Sequence, residues 1–175
     1  MPSVLRSAIY MQKQLIFLFC FLALLVSACK FNPNIQGPGT EVAQGIWEEG
    51  KVPYEDRLLT STRHEYKFTC DSFYVTFRTK SKVNIYPDSC YNGGNWTEYV
   101  RGTYEQRHDT LYLAGTFTKS NFKQKISGCY RIGQYLNALV LKKSTDSVLV
   151  FDDLQQHTPL TLKLKKRIKC DPKPL

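Results

Sequence analysis

An antiparallel all-β domain is predicted from Gly45 onward, a closed up-and-down barrel of about eight strands, with an open β-sandwich as the alternative. Three observations carry this expectation. Apolar and polar residues alternate along a series of short segments, the period of a half-buried strand. The segments are rich in Thr, Val, Tyr and Phe, which suit a pleated surface. Turn-forming clusters punctuate them: CDS at Cys70, TKS at Thr79, NGGN at Asn92, QRHD at Gln106, KSTD at Lys143 and DDLQQH at Asp152.

Taken in order, HEYKFTC places Tyr66, Phe68 and Cys70 on one face. FYVTF groups Phe73, Val75 and Phe77, with Tyr74 and Thr76 opposite. DTLYLAGTF groups Leu111, Leu113 and Phe117. In TPLTLKLKKRIK, Leu160, Leu162, Leu164 and Ile168 oppose Lys163, Lys165, Arg167 and Lys169. No helix period stands out after residue 28, and VPYEDRLL suggests only a short helical turn.

The first 28 residues read differently. Arg6 and Lys13 precede the apolar run LIFLFCFLALLVSA, which is short for a membrane span and suits a signal-peptide core. Met11 offers a second possible start. Val26-Ser27-Ala28-Cys29 resembles a bacterial lipobox: aliphatic, small, small, cysteine. That reading makes residues 1–28 a lipoprotein signal peptide and Cys29 the lipidated first mature residue, with palmitate-type chains. Cys20 leaves with the peptide. Two or more acyl chains anchor stably, at roughly 0.8 kcal/mol per buried methylene. Lys30 follows, not the aspartate that retains lipoproteins in the inner membrane of well-studied Gram-negative systems. The expected location is the cell envelope, at the outer membrane facing the periplasm. Residues 30–44, with two Pro and two Gly, read as a flexible tether, and residues 45–175 as the β domain.

Removing residues 1–28, which hold Arg6 and Lys13 and no carboxylate, lowers the formal charge from +9 to +7 and leaves 147 of the 175 residues, enough for one domain with a core. A cationic surface in an exported protein suits lipid headgroups or peptidoglycan, and no nucleic-acid partner is expected. Four cysteines remain after Cys29: Cys70, Cys90, Cys129 and Cys170. An even count in an oxidising compartment implies two disulfides, and no CxxC pair favours a metal. Nearness in the chain favours Cys70–Cys90 and Cys129–Cys170.

Gly45-Ile46-Trp47, YKFTCDSFYVTF, GTYEQRHDTLYLAGTF and YRIGQYLNALVLKKSTDSVLV follow one another as do the G-x-W, G-x-Y and D-T-L-x-L strands of the small lipocalin-like lipoproteins. The resemblance covers roughly residues 44–169. It implies a lipocalin-like barrel in which Trp47 plugs the closed end under an arginine from a late strand, with Arg131 and Arg167 as candidates. The chain also resembles short Gram-negative lipoproteins with CDSFYVT, GTF, SGCYRIGQY and C-x-P-K-P-L elements, some of which circulate under the name fumarate hydratase. Large fumarases carry a Gly-Ser-Ser-x-Met-Pro-x-Lys-x-Asn loop, and Met1 and Met11 are the only methionines here. Iron–sulfur fumarases need three reduced cysteines, which an oxidising compartment does not offer.

No catalytic set stands out. His64, His108 and His157 share no HxH or HxxxH spacing, so no metal site is expected. No GxSxG occurs. The carboxylate pairs Glu48–Glu49, Glu55–Asp56 and Asp152–Asp153 are sequence neighbours, which point to opposite faces of a strand. No cofactor is expected. The aromatic segment YPDSCYNGGNWTEY brings Tyr86, Tyr91, Trp96 and Tyr99 to a Gly-rich stretch that could form a mouth loop stacking on an apolar or sugar ligand. Trp96, placed in that loop, is expected to contribute little to stability. The function expected is a membrane-anchored ligand-binding or structural barrel, with a small ligand or an envelope protein as its partner. The alternative is an enzyme, a lyase of the fumarate hydratase name or a hydrolase, with a site assembled from distant residues.

Overall fold

In the computed structural model, which describes Lys13 and residues 36–51 and 54–172, eight antiparallel strands close into one barrel. They are β1 (Gly45–Glu49), β2 (Thr60–Thr69), β3 (Ser72–Ser81), β4 (Asn95–Arg107), β5 (Thr110–Thr118), β6 (Gln134–Ser144), β7 (Val148–Asp153) and β8 (Thr158–Arg167). Each pairs with its sequence neighbour, and β1 pairs with β8 to close the ring. The open sandwich is thereby excluded. The proposed signal peptide and Cys29 lie outside the described residues.

The alternating faces fall as the sequence predicts except at the end of β8, where Leu164 is half-buried and Ile168 lies beyond the strand. Tyr66, Phe68, Cys70, Phe73, Val75, Phe77, Leu111, Leu113, Phe117, Leu160 and Leu162 are buried. Bulges at two places fit the strands to the curve: Ile46 pairs with Lys166 but Trp47 with Leu164, and Leu141 pairs with Phe151 but Lys143 with Val150. Most turn clusters are turns, with Cys70, His108 and His157 at positive φ. TKS is not one; β3 runs through Ser81 before the chain leaves the wall. VPYEDRLL supplies a 3₁₀ turn at Glu55–Arg57.

One end of the barrel holds the β2–β3, β4–β5 and β6–β7 turns and the starts and finishes of the ring. There Trp47 is fully buried and its indole Nε1 donates to the Ala43 carbonyl at 2.7 Å. Of the two candidate arginines, Arg167 lies over the Trp47 ring, 5.3 Å from its centroid. A Cβ on Gly45 would stand 2.9 Å from the Lys166 carbonyl, so the Gly-x-Trp opening needs its glycine.

Residues 36–44, expected to belong to a flexible tether, instead pack on this end. Ala43 and Gln44 are buried. The Gln44 amide bonds both backbone groups of Cys70, accepting from its N at 2.7 Å and donating to its O at 2.8 Å, and reaches the Tyr104 hydroxyl at 2.9 Å. One polar side chain thereby satisfies a turn whose Cys70 has left the ladder.

The disulfides join Cys70 to Cys170 and Cys90 to Cys129. This corrects the near-neighbour pairing. Cys70 and Cys170 are distant in the chain but meet because the barrel brings its last strand back to its first.

Candidate functional site

The opposite end carries the longer loops, 50–59, 82–94 and 119–133, and the β7–β8 turn. The four predicted mouth aromatics separate here. Trp96 opens β4 and points inward, 7% exposed, where Tyr130 stacks on it at 5.6 Å and 12°. Tyr86 meets both rings edge-on, at 5.2 Å from Trp96 and 5.1 Å from Tyr130. Burial raises the Tyr86 hydroxyl above its ordinary pKa, and the Glu98 charge adds to this. Tyr91 is held by its hydroxyl donating to the Ser81 carbonyl. Tyr99 faces the outer wall and packs against Phe122. Trp96 is therefore part of the core, a correction to its placement in a Gly-rich mouth loop: β4 begins at Asn95, directly after Gly94, so Trp96 already belongs to the strand.

Sequence reasoning named Cys90, Cys129 and Arg131 but missed Glu98 and the arrangement that closes the mouth. The Cys90–Cys129 bridge ties loop 82–94 to loop 119–133. Beside it, Arg131 crosses the rim and grips Glu98, with Nε and Nη2 each at 2.9 Å from a carboxylate oxygen and the Arg131 backbone N at 3.0 Å. The Glu98 side chain is only 4% exposed. The guanidinium lies 4.9 Å over Phe77 and 4.7 Å over Phe117. Arg131, the other candidate for the Trp47 partner, thus caps the far end. A buried glutamate in an alternating strand was the available signal: Glu98 sits between inward Trp96 and Val100.

Beneath Arg131 the interior is packed with rings. Phe77, Phe117 and Tyr135 touch one another, Phe73 joins Tyr135, and Tyr66, Phe68 and Tyr104 continue toward the Trp47 end. Polar groups are placed among them. His64 Nδ1 lies 2.5 Å from Glu49, and Nε2 lies 3.1 Å from the Gln156 amide. Glu49, unlike outward Glu48, also accepts the His64 backbone N–H. Asp153 accepts from the Asn137 amide and from the backbone N–H groups of Gln155 and Gln156, building the β7–β8 turn. Tyr66 is fully buried, and its hydroxyl has no hydrogen-bond partner among the described residues. Burial, and then its neighbours Tyr135 and Asp153, hold that hydroxyl well above its ordinary pKa. His64, Glu49, Asn137 and Asp153 are spent on side-chain partners and on backbone, and the Tyr66 hydroxyl is the exception.

Open concavities lie outside the packed interior instead: one of about 530 Å³ at the Trp47 end, beside Arg167 and Cys170, and a second at the rim. A cleft of about 600 Å³ is lined by Glu55, Arg63, Arg78, Thr79, Lys80, Asn92, Asn95, Trp96, Thr97 and Tyr130. Loop 82–94 forms one side; a Cβ on Gly94 would stand 2.0 Å from the Ser81 carbonyl, so the loop can approach the wall only through glycine there. On the barrel wall, Glu55 pairs with Arg63. Burial raises the pKa of Glu65 next to the cleft, but the Lys165 hydrogen bond and the Arg78 and Lys165 charges outweigh it, leaving the carboxyl below its ordinary value. Among the described residues no group of three or more His, Cys, Asp or Glu side chains is placed to hold a metal, and no helix is long and apolar enough to cross a membrane. Comparison of the chain with protein-family models, with curated proteins and with solved structures finds no match.

Proposed function

We propose that this protein is a lipid-anchored β-barrel of the bacterial envelope, attached through Cys29 to the outer membrane and facing the periplasm, that binds a small ligand in its rim cleft. The observation that carries the binding site is the contrast between a mouth shut by Arg131, Glu98 and a disulfide and an open cleft of about 600 Å³ beside it, a size typical of small-molecule sites. The lipobox-like Val26-Ser27-Ala28-Cys29 supports the anchor.

Native mass spectrometry of the protein purified from its host tests the binding reading. A retained small molecule is expected in the wild type and absent from Asn95→Trp, which fills the cleft. A ligand retained equally in both moves the site elsewhere. Metabolic labelling with a fatty-acid analogue tests the anchor: label persisting in Cys29→Ser rejects it.

A further inference from the structure

Antiparallel pairing sets side chains directly opposite one another on the outer wall. Beneath the rim this register puts Arg63 of β2 against Arg78 of β3, with Thr97 of β4 beyond; the next outward row is Ser61, Lys80 and Asn95. Two arginines facing each other across neighbouring strands repel and weaken the sheet. Nearby carboxylates only partly offset this. Glu55 holds Arg63, but the buried Nε of that guanidinium has no acceptor among the described residues. Glu65 is shared, 3.0 Å from Lys165 and 3.4 Å from Arg78. Lys80 has no carboxylate partner among the described residues. The cleft lining therefore holds three cations against one carboxylate, Glu55. A sequence that places such an arrangement at a concave surface gives up stability there, the expected mark of a functional site.

The remaining lining is polar and aromatic. The Asn92 and Asn95 side-chain amides donate to the carbonyls of Asn95 and Gly93, leaving their carbonyl oxygens as acceptors. Tyr130 and Trp96 supply ring surface. Arginine forks match phosphate and carboxylate oxygens, and lysine adds a point charge.

Resting on the cleft as the binding site, we propose that it takes a sugar-like ligand bearing a phosphate or carboxylate group, with the anion on Arg63, Arg78 and Lys80 and the hydroxylated body against Asn92, Asn95 and Tyr130. A soluble sugar phosphate and a phospholipid headgroup share this chemistry.

The test is calorimetric titration of the full protein in neutral detergent with glucose 6-phosphate, glucose and short-chain phosphatidylglycerol. An anionic probe is expected to bind at least tenfold tighter than glucose and to weaken with added salt. Arg78→Gln and Lys80→Gln, both exposed, are each expected to lower that affinity at least fivefold without lowering the thermal midpoint. Preference for glucose 6-phosphate identifies a soluble source; preference for phosphatidylglycerol identifies a headgroup. Equal affinity for glucose and glucose 6-phosphate, indifference to both substitutions, or no binding by either anionic probe overturns the proposal. If a co-purified ligand is still lost in Asn95→Trp, such a result removes the anionic chemistry and leaves the cleft standing.

Discussion

Both ends of this barrel are shut by the same pair of devices, a disulfide and an arginine over aromatic rings, but the arginines are satisfied differently. At the Trp47 end, Arg167 donates to the backbone carbonyls of Val42, Gln44 and Asp146. At the cleft end, Arg131 neutralises a buried carboxylate. A guanidinium on carbonyls ties chain segments together and leaves no buried charge behind when it goes. A guanidinium on Glu98 leaves a desolvated anion. The Trp47 end is therefore built for cohesion, and the cleft end depends on one ion pair remaining closed.

The largest expected effects test the disulfides. On the chain-entropy model, with residue separations of 100 and 39, loss of Cys70–Cys170 costs about 4.7 kcal/mol and loss of Cys90–Cys129 about 3.9 kcal/mol. Urea unfolding of the two double-serine variants should rank them in that order. The reverse order would mean that loop 119–133 carries more of the fold than the Trp47 end.

The tryptophans come next. Trp47, fully buried with a bonded indole, is expected at the upper part of the roughly 3–5 kcal/mol range for aromatic truncation, and Trp96 at the lower part. A Trp96→Ala variant as stable as wild type would return that ring to the surface.

The arginines give the sharper contrast. Arg131→Ala should cost about 3 kcal/mol by stranding Glu98, whereas Arg167→Ala should cost about 1 kcal/mol for hydrogen bonds to carbonyls. Adding Glu98→Gln to Arg131→Ala should recover much of the loss. Without recovery, the buried charge is not what makes Arg131 important.

The smallest effects concern buried hydroxyls. Tyr66→Phe removes a hydroxyl without a partner among the described residues and should change stability by less than about 0.5 kcal/mol, or improve it. Burial raises the hydroxyl pKa of Tyr66, Tyr104 and Tyr135 in the folded state. Because the folded values lie above the unfolded value of about 10, stability is full below about pH 10 and declines as pH rises toward them. Tyrosinate absorbance of these rings should therefore appear together with loss of circular dichroism. Complete tyrosine ionisation in a still-folded protein would contradict their burial.

Much of the fold was legible because strand period is a local property. Tyr66, Phe68, Phe73, Val75 and Phe77 alternate in the chain and face inward for that reason alone. The Gly-x-Trp likeness put Trp47 at the closed end but offered two arginines, since nothing local tells which late residue a ring barrel will bring beneath it. The candidate site was legible only in part. NGGN and Trp96 mark its edge, whereas Arg63, Arg78 and Lys80 read as ordinary exposed charges of separate strands.

The sequence by itself determined alternation and most turn positions, because each depends on residues a few positions apart. Tertiary structure alone decided which cysteines meet, which arginine caps which end, and which cations share the cleft. Those depend on closure of β1 on β8 and on the register of β2, β3 and β4. Register places residues fifteen or more positions apart side by side, as Arg63 and Arg78 are, and a hydrophobic pattern sets only which face they share.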